Sequence, residues 1–220
     1  MKTFLIILLV ISGFPCLAQD ARTCRIIFLG KSMEVPGEAF LFNGMTSRKV
    51  TLRNKQFSEV IGLPAGEITL SLCPGEVRSP EQMPAGAPSV KIAAGDTDFY
   101  LVITSDTQNQ VLPVRLEAIG ANGSPKAGET LWLNRSEHVI RANLGEESLD
   151  IAPLQSVVSL APLKESGYFA AEFQYQIAPR EPWLPIMKKS WWFDSTSRNV
   201  GFIISKGPRL PEIFAVRDRR

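Results

Sequence analysis

Histidine and cysteine are scarce in this chain: its 220 residues include one histidine and three cysteines. Zinc sites are built mainly from these two residue types, and serine-type hydrolases need a histidine beside a nucleophile. The sequence also contains no Gly-x-Ser-x-Gly motif and no glycine-rich phosphate-binding loop. We therefore expect that the lone His138 is structural or exposed and not catalytic. We also expect that the protein is not an enzyme and holds neither a metal nor a cofactor.

An excess of charge of one sign is missing as well. Lysine and arginine together number 24, against 22 aspartates and glutamates, which gives a formal net charge of +2. A chain so close to neutral has no strong field to attract a polyanion, so we do not expect nucleic acid as a partner. The last four residues, Arg217-Asp218-Arg219-Arg220, are interpreted as a solvated tail.

Long apolar runs are confined to the N-terminus. Lys2 precedes the apolar residues 4–11, and small residues follow before Gln19. This order is typical of a signal peptide that is cut after Ala18, and the run is shorter than the roughly 20 residues that cross a membrane. Cys16 could mark a lipoprotein, but the residues before it match a lipobox poorly. We expect residues 1–18 to be removed, leaving an exported chain, periplasmic or extracellular, without a transmembrane segment.

Two cysteines, Cys24 and Cys73, remain after that cleavage. Exported proteins meet an oxidising compartment, in which thiols tend to pair. We therefore predict a disulfide between Cys24 and Cys73. Because Cys73 shares its phase with Thr69 and Ser71 on the polar side of an alternating segment, the bond would have to form at a strand end.

Apolar and polar residues alternate with a period of two in almost every apolar segment. The alternation is clearest over residues 167–177, where one phase holds Phe169, Ala171, Phe173, Tyr175 and Ile177. This pattern predicts half-buried antiparallel strands. Glycine and proline, 16 of each, recur at short intervals, as expected for many short strands joined by turns. The sequence therefore predicts an all-β fold of two small antiparallel β-sandwich (Ig-like) domains in tandem.

Two interruptions divide the chain. Residues 74–89 hold four prolines and form a long loop, and residues 105–110 are polar and free of strand signals. We place the domain boundary in the second interruption, which gives a first domain at residues 24–110 and a second at residues 111–220. A second candidate boundary at residues 120–128 would assign strand 111–119 to the first domain.

Turn and strand motifs of the first half follow a recognisable order. They are Arg-Ile-Ile at 25–27, Ala-Phe-Leu-Phe-Asn-Gly at 39–44, Gly-Leu-Pro-Ala-Gly at 62–66, and Ala-Gly-Asp-Thr-Asp-Phe-Tyr-Leu-Val at 94–102. With these motifs, residues 24–104 resemble a family of exported bacterial β-sandwich domains of unknown function. The second half, with residues 128–134 and 192–200, is similar to the companion domain of uncharacterised two-domain exported bacterial proteins. The resemblance implies the fold and export, and it implies no reaction.

Two functions fit these observations. The first is a non-catalytic structural or interaction module of the bacterial cell envelope or exterior, because β-sandwiches present loops and faces on a rigid frame. The alternative is a carbohydrate-binding module or a glycan-acting enzyme, so the expected partner is an envelope protein or a glycan. The alternative rests on aromatic residues of the second half, namely Trp183, Trp191, Trp192, Tyr168 and Tyr175. An exposed planar row of these rings would favour it, and burial in the core would count against it.

Adjacent tryptophans near position 190 allow a sharper prediction. In a strand, Trp191 sides with Met187 and Phe193, and Trp192 takes the opposite face with Lys188. We therefore predict that Trp191 is the buried anchor, and that Trp192 and Lys188 are exposed and form the possible contact site. Alternatively, residues 179–185 could cover Trp192.

Overall fold

The computed structural model describes residues 22–30, 35–205 and 210–219, so the predicted signal peptide lies outside the described residues. Across the described residues the chain forms β-strands and contains no α-helix, which confirms the all-β prediction. No helix in this part of the chain is long and apolar enough to span a membrane. The strands are β1 (Arg22–Leu29), β2 (Glu38–Phe42), β3 (Ser47–Thr51), β4 (Ile61–Leu63), β5 (Ile68–Cys73), β6 (Ser89–Ile92), β7 (Asp98–Ser105), β8 (Val114–Gly120), β9 (Thr130–Arg135), β10 (Val139–Leu144), β11 (Glu147–Ile151), β12 (Ser156–Ser159), β13 (Gly167–Gln176), β14 (Leu184–Phe193), β15 (Arg198–Ser205) and β16 (Pro211–Asp218).

The strands form four sheets of four strands, and the two halves of the chain repeat one connectivity. The first sheet has the order β4-β1-β7-β8 and the second β3-β2-β5-β6. The third sheet, β12-β9-β15-β16, and the fourth, β11-β10-β13-β14, repeat these orders with every strand number raised by eight. In both halves the opening strand pairs in parallel with the seventh, β1 with β7 and β9 with β15, while the other pairs are antiparallel. The second half is therefore built on the same plan as the first.

The connection between the halves lies later in the chain than the boundary predicted at residue 110. Strand β8 pairs with β7 along its whole length, from Val114 opposite Ser105 to Gly120 opposite Phe99. This pairing puts β8 in the first sheet, as the second candidate boundary at residues 120–128 implied. The polar segment 105–110 is a hairpin loop within the first half, and residues 121–129 join the halves.

Apolar side chains form three large clusters that stack the four sheets into layers. The first cluster lies between the second and first sheets, and the second lies between the third and fourth. The third cluster joins the first sheet to the third, so the layer order is second, first, third, fourth sheet. Strand β1 shows how: Ile26 and Phe28 point into the first cluster, while Ile27 and Leu29 point into the third. Both faces of this strand are therefore buried.

A polar network reinforces the junction between the halves. The Asp218 carboxylate, whose side chain is fully buried, accepts hydrogen bonds from the Tyr100 hydroxyl at 2.7 Å and from Arg198 Nε at 2.6 Å. Its other oxygen accepts a hydrogen bond from Arg25 Nη1. Arg198 also reaches Asp98 at 3.1 Å. Because Tyr100, Arg25 and Asp98 belong to the first half, the end of β16 ties the two halves together.

The C-terminal residues are therefore not the solvated tail that their basic composition suggested. Asp218 ends strand β16 and is 2% exposed, because it faces the cationic and hydroxyl groups of the first half. Arg217 and Arg219 on either side of it are exposed. The alternation of a strand explains both facts: neighbouring residues point in opposite directions, so a buried aspartate can stand between two exposed arginines.

The predicted disulfide between Cys24 and Cys73 is not formed in the structure. Cys24 lies on the first sheet and points into the first cluster. Cys73 lies on the opposite face of the second sheet, where it packs with Phe42, Val77 and Ala87. The second sheet therefore lies between the two thiols, and they cannot be bridged without moving the backbone. Burial also raises the pKa of the Cys73 thiol, which keeps it protonated and unreactive.

Thiol labelling tests this arrangement. We expect Cys73 in the folded, non-reduced protein to resist a thiol reagent because the side chain is buried, and to react fully once the chain is unfolded in urea. The measurement is mass spectrometry of the labelled protein before and after unfolding, with no reductant present. A mass showing no label on either cysteine after unfolding would support the disulfide instead.

Gly201 leaves room for the largest fully buried side chain of the protein. It lies on β15 opposite Trp132 on β9, and a Cβ at this position would overlap the Trp132 ring. We predict that Gly201→Ala lowers the unfolding free energy by about 1–3 kcal/mol, the usual effect of overpacking a core. Urea denaturation measures this loss. The matched strand variant Gly62→Ala, where a Cβ meets nothing within 4 Å, should change stability by less than about 1 kcal/mol.

Candidate functional site

The outer face of the fourth sheet points away from the other three layers. Antiparallel pairing of β13 with β14 sets Tyr168 opposite Trp192 and Glu172 opposite Lys188. These side chains, with Ser190 between them, alternate along the strands with the residues that enter the second cluster. We call the set Tyr168, Glu172, Lys188, Ser190 and Trp192 the outer face.

Two aromatic rings stand together at one end of the outer face. Tyr168 is 70% exposed and Trp192 is 49% exposed, although both are large aromatic residues. Their ring centroids are 5.0 Å apart with an interplanar angle of 74°, an edge-to-face contact. Such a contact holds the rings in a preferred orientation and leaves the face of one ring available to a partner.

Trp191 points the other way, into the space between the third and fourth sheets. Its ring stacks on Trp132 at 5.8 Å and meets Phe173 at 5.5 Å. The two tryptophans thus lie on opposite faces, as the alternation predicted. Residues 179–185 connect β13 to β14 at the other end of the hairpin from Trp192, so they do not cover it. The contact role of Trp192 and Lys188 stays a prediction.

Ion pairs complete the polar part of this sheet. Lys188 reaches Glu172 at 3.1 Å, and its side chain remains 76% exposed. Further along, Arg141 makes a bidentate pair with Asp150, both contacts being 2.8 Å, and lies 4.1 Å from the centre of the Trp183 ring. The hydrogen bonds from Arg141 hold the pKa of Asp150 below its usual range, so this pair is charged at neutral pH.

The aromatic residues of the second half do not form the exposed planar row that would favour a glycan platform. Tyr175 is 8% exposed and Trp191 packs on the second cluster. Trp183 is covered on one side by Arg141. The exposed pair that remains, Tyr168 and Trp192, is not coplanar. A stack of several flat sugar rings therefore has no matching surface here.

The equivalent face in the first half is partly covered. The proline-rich segment 74–88 packs Val77 and Ala87 onto Phe42 and Cys73 of the second sheet. Val77 is further held by the Ser47 side chain, whose hydroxyl donates to the Val77 carbonyl at 2.6 Å. Sequence reasoning identified this segment as a loop but not its position over a sheet face. The covering leaves the outer face of the fourth sheet as the more accessible of two equivalent faces.

His138 lies beside Tyr175, with ring centroids 5.2 Å apart. The nearby Ser136 hydroxyl contacts the backbone of His138 at 3.4 Å and donates to Asn134 Oδ1 at 2.7 Å. The Ser136 hydroxyl therefore takes part in the hydrogen bonds of a backbone turn. In the described ranges, no group of three or more histidine, cysteine, aspartate or glutamate side chains is placed to hold a metal ion.

No protein-family model matches this chain, and no curated protein matches it.

Proposed function

We propose that the chain is a non-catalytic interaction module of the bacterial cell envelope or exterior, built as two Ig-like β-sandwich domains in tandem. The shared strand order of the two halves supports two equivalent domains, and the buried junction between them supports a rigid frame. The proposal includes export by the N-terminal segment. It also includes the similarity to exported bacterial two-domain proteins that the turn motifs indicate.

The observation that carries the proposal is the exposed pair Trp192 and Tyr168 on the outer face. Tryptophan and tyrosine are enriched in binding hot spots, because they bury a large area with few rotatable bonds. Lys188 and Glu172 beside them add polar groups of both signs, which suits the mixed surface of a protein partner. We therefore assign the outer face as the surface that binds an envelope protein.

Co-sedimentation with an envelope fraction of the producing cells tests this assignment. The mature protein should bind saturably, and Trp192→Ala should weaken binding by roughly tenfold or more, as expected for a hot-spot aromatic. Met45→Ala, an exposed apolar residue in a hairpin of the first half, is the matched control and should bind normally. Protease treatment of the envelope fraction should abolish binding.

Two results would contradict the proposal. One is the absence of saturable binding by the unaltered protein, and the other is equal binding by Trp192→Ala. Binding that survives the protease but is lost after glycosidase treatment would favour the second candidate, a carbohydrate-binding module. That candidate draws on the same Trp192 ring, which could stack on a single sugar.

A further inference from the structure

A groove of about 310 Å³ runs between β14 and β16, the edge strands of the fourth and third sheets. Among the described residues, β14 pairs as a strand only with β13, and β16 only with β15. Lys189 and Trp191 line the wall formed by β14, and Ala215 and Arg217 line the wall formed by β16. The groove thus opens between two edge strands. In the part of the chain that the structure describes, no further strand pairs with the outer backbone edge of either one.

In the first half, the two strands equivalent to β14 and β16 lie closer together. By strand order, β6 and β8 are the equivalents of β14 and β16. Strands β6 and β8 lie against each other, whereas β14 and β16 approach each other far less. Because the two halves share one connectivity, the wider opening is a particular property of the second half.

The groove combines apolar walls with cationic rims. The Trp191 ring and the side chains of Ile213 and Ala215 supply the apolar part. Lys189 is exposed at one rim, with its Nζ 5.3 Å from the centre of the Trp191 ring. Arg217 at the other rim is 40% exposed and approaches Asp194 only at 3.9 Å. An apolar surface between two accessible cations is complementary to an apolar segment that carries a carboxylate.

We propose that this groove binds an extended peptide segment, which pairs as an added strand with the edge of β14. Main-chain hydrogen bonds to an unpaired edge supply affinity in this mode, and alternate side chains supply specificity. Lys189 and Trp191 are two residues apart on the same face, so their cross-strand neighbours are also two residues apart. The segment therefore carries an acidic residue opposite Lys189 and an apolar or aromatic residue opposite Trp191.

The two lysines of β14 distinguish this site from the outer face, because successive residues of a strand point to opposite sides of the sheet. Lys189 and Trp191 face the groove and Lys188 does not line it, whereas Trp192 belongs to the outer face and also borders the groove. Lys188 and Lys189 are adjacent, both are exposed and both carry the same charge. The pair therefore provides a matched test that distinguishes groove binding from binding on the outer face.

The probe is a seven-residue peptide of threonines, with phenylalanine at the second and sixth positions and glutamate at the fourth. Isothermal titration into the mature protein should show saturable binding. A peptide with glutamine in place of glutamate should bind several-fold more weakly. Lys189→Glu should weaken binding of the acidic peptide by roughly tenfold, because a like charge replaces a complementary one. Lys188→Glu should leave the affinity unchanged.

Thermal melts of both variants establish that they are folded before the titrations are compared. Absence of saturable binding by the unaltered protein overturns the proposal. So does an equal loss in Lys188→Glu and Lys189→Glu, which would point to nonspecific charge or to the outer face. Sedimentation that shows a dimer disrupted by Lys189→Glu would also overturn it, because the groove would then be an interface between two copies of the chain.

Discussion

Replacing Asp218 with alanine should lower the unfolding free energy by roughly 3–5 kcal/mol, the usual result of removing one partner from a buried ion pair. The carboxylate is fully buried and binds Arg25, Tyr100 and Arg198 together. Without it, two guanidinium groups would face each other across the junction with less compensating charge. Burial by itself would lower the pKa of Arg198, but Tyr100 and the carboxylates of Asp218 and Asp98 outweigh burial and raise it.

The loss should affect the whole molecule, because Asp218 joins the halves. The apolar third cluster buries Tyr100 and Ile27 of the first half against Leu133 and Phe202 of the second. Two further ion pairs, Lys55 with Glu212 at 2.8 Å and Arg135 with Glu117 at 2.6 Å, cross the same junction. We expect the unaltered protein to unfold in one transition, and Asp218→Ala to shift that transition or split it in two.

Urea denaturation followed by tryptophan fluorescence and by circular dichroism measures both effects. All four tryptophans belong to the second half, whereas circular dichroism reports strands throughout the described chain. Asp150→Ala is the matched control, since its pair with Arg141 is exposed and should contribute less than about 1 kcal/mol. A loss below 1 kcal/mol for Asp218→Ala would show that the junction does not depend on this network.

The strands were predictable from the sequence because most of them have one buried and one exposed face. Strand β13 is an example: its burial alternates from Phe169 to Tyr175 in the phase that the sequence indicated. The layers were not predictable, because an alternating pattern does not say what a face packs against. The central strands β1 and β7 contain the apolar runs 26–29 and 99–103, which are buried on both faces. Such runs are typical of a buried strand and do not say which layers cover it.

The candidate site was partly predictable for the same reason. The opposite directions of Trp191 and Trp192 follow from the period of a strand alone. The partner of Trp192, Tyr168, comes from the register of β13 with β14, which no local pattern specifies. Asp218 was missed because its neighbours in sequence are basic, while the groups that bind it lie in the other half of the chain. The disulfide between Cys24 and Cys73 was predicted wrongly, because the oxidising compartment was given more weight than the position of Cys73 on the polar side of its strand.

Replacing Trp191 with alanine should cost about 3 kcal/mol of unfolding free energy, whereas Trp192→Ala should cost about 1 kcal/mol or less. The Trp191 ring fills space between the third and fourth sheets and contacts Trp132 and Phe173. Because Trp191 stands on an edge strand and is only partly buried, the expected loss lies at the lower end of the range for a tryptophan removed from a core.

The two variants form a matched pair, since they remove the same side chain at neighbouring positions of one strand. Trp192 is 49% exposed and loses mainly its edge-to-face contact with Tyr168, a contact worth about 1 kcal/mol. Thermal melts and urea denaturation of both variants measure the difference. If the losses were equally large, Trp192 would belong to the core and could not be the contact residue of the outer face. If both were small, Trp191 would not anchor the fourth sheet, and the packing of that sheet on the third would depend on the other residues of the second cluster.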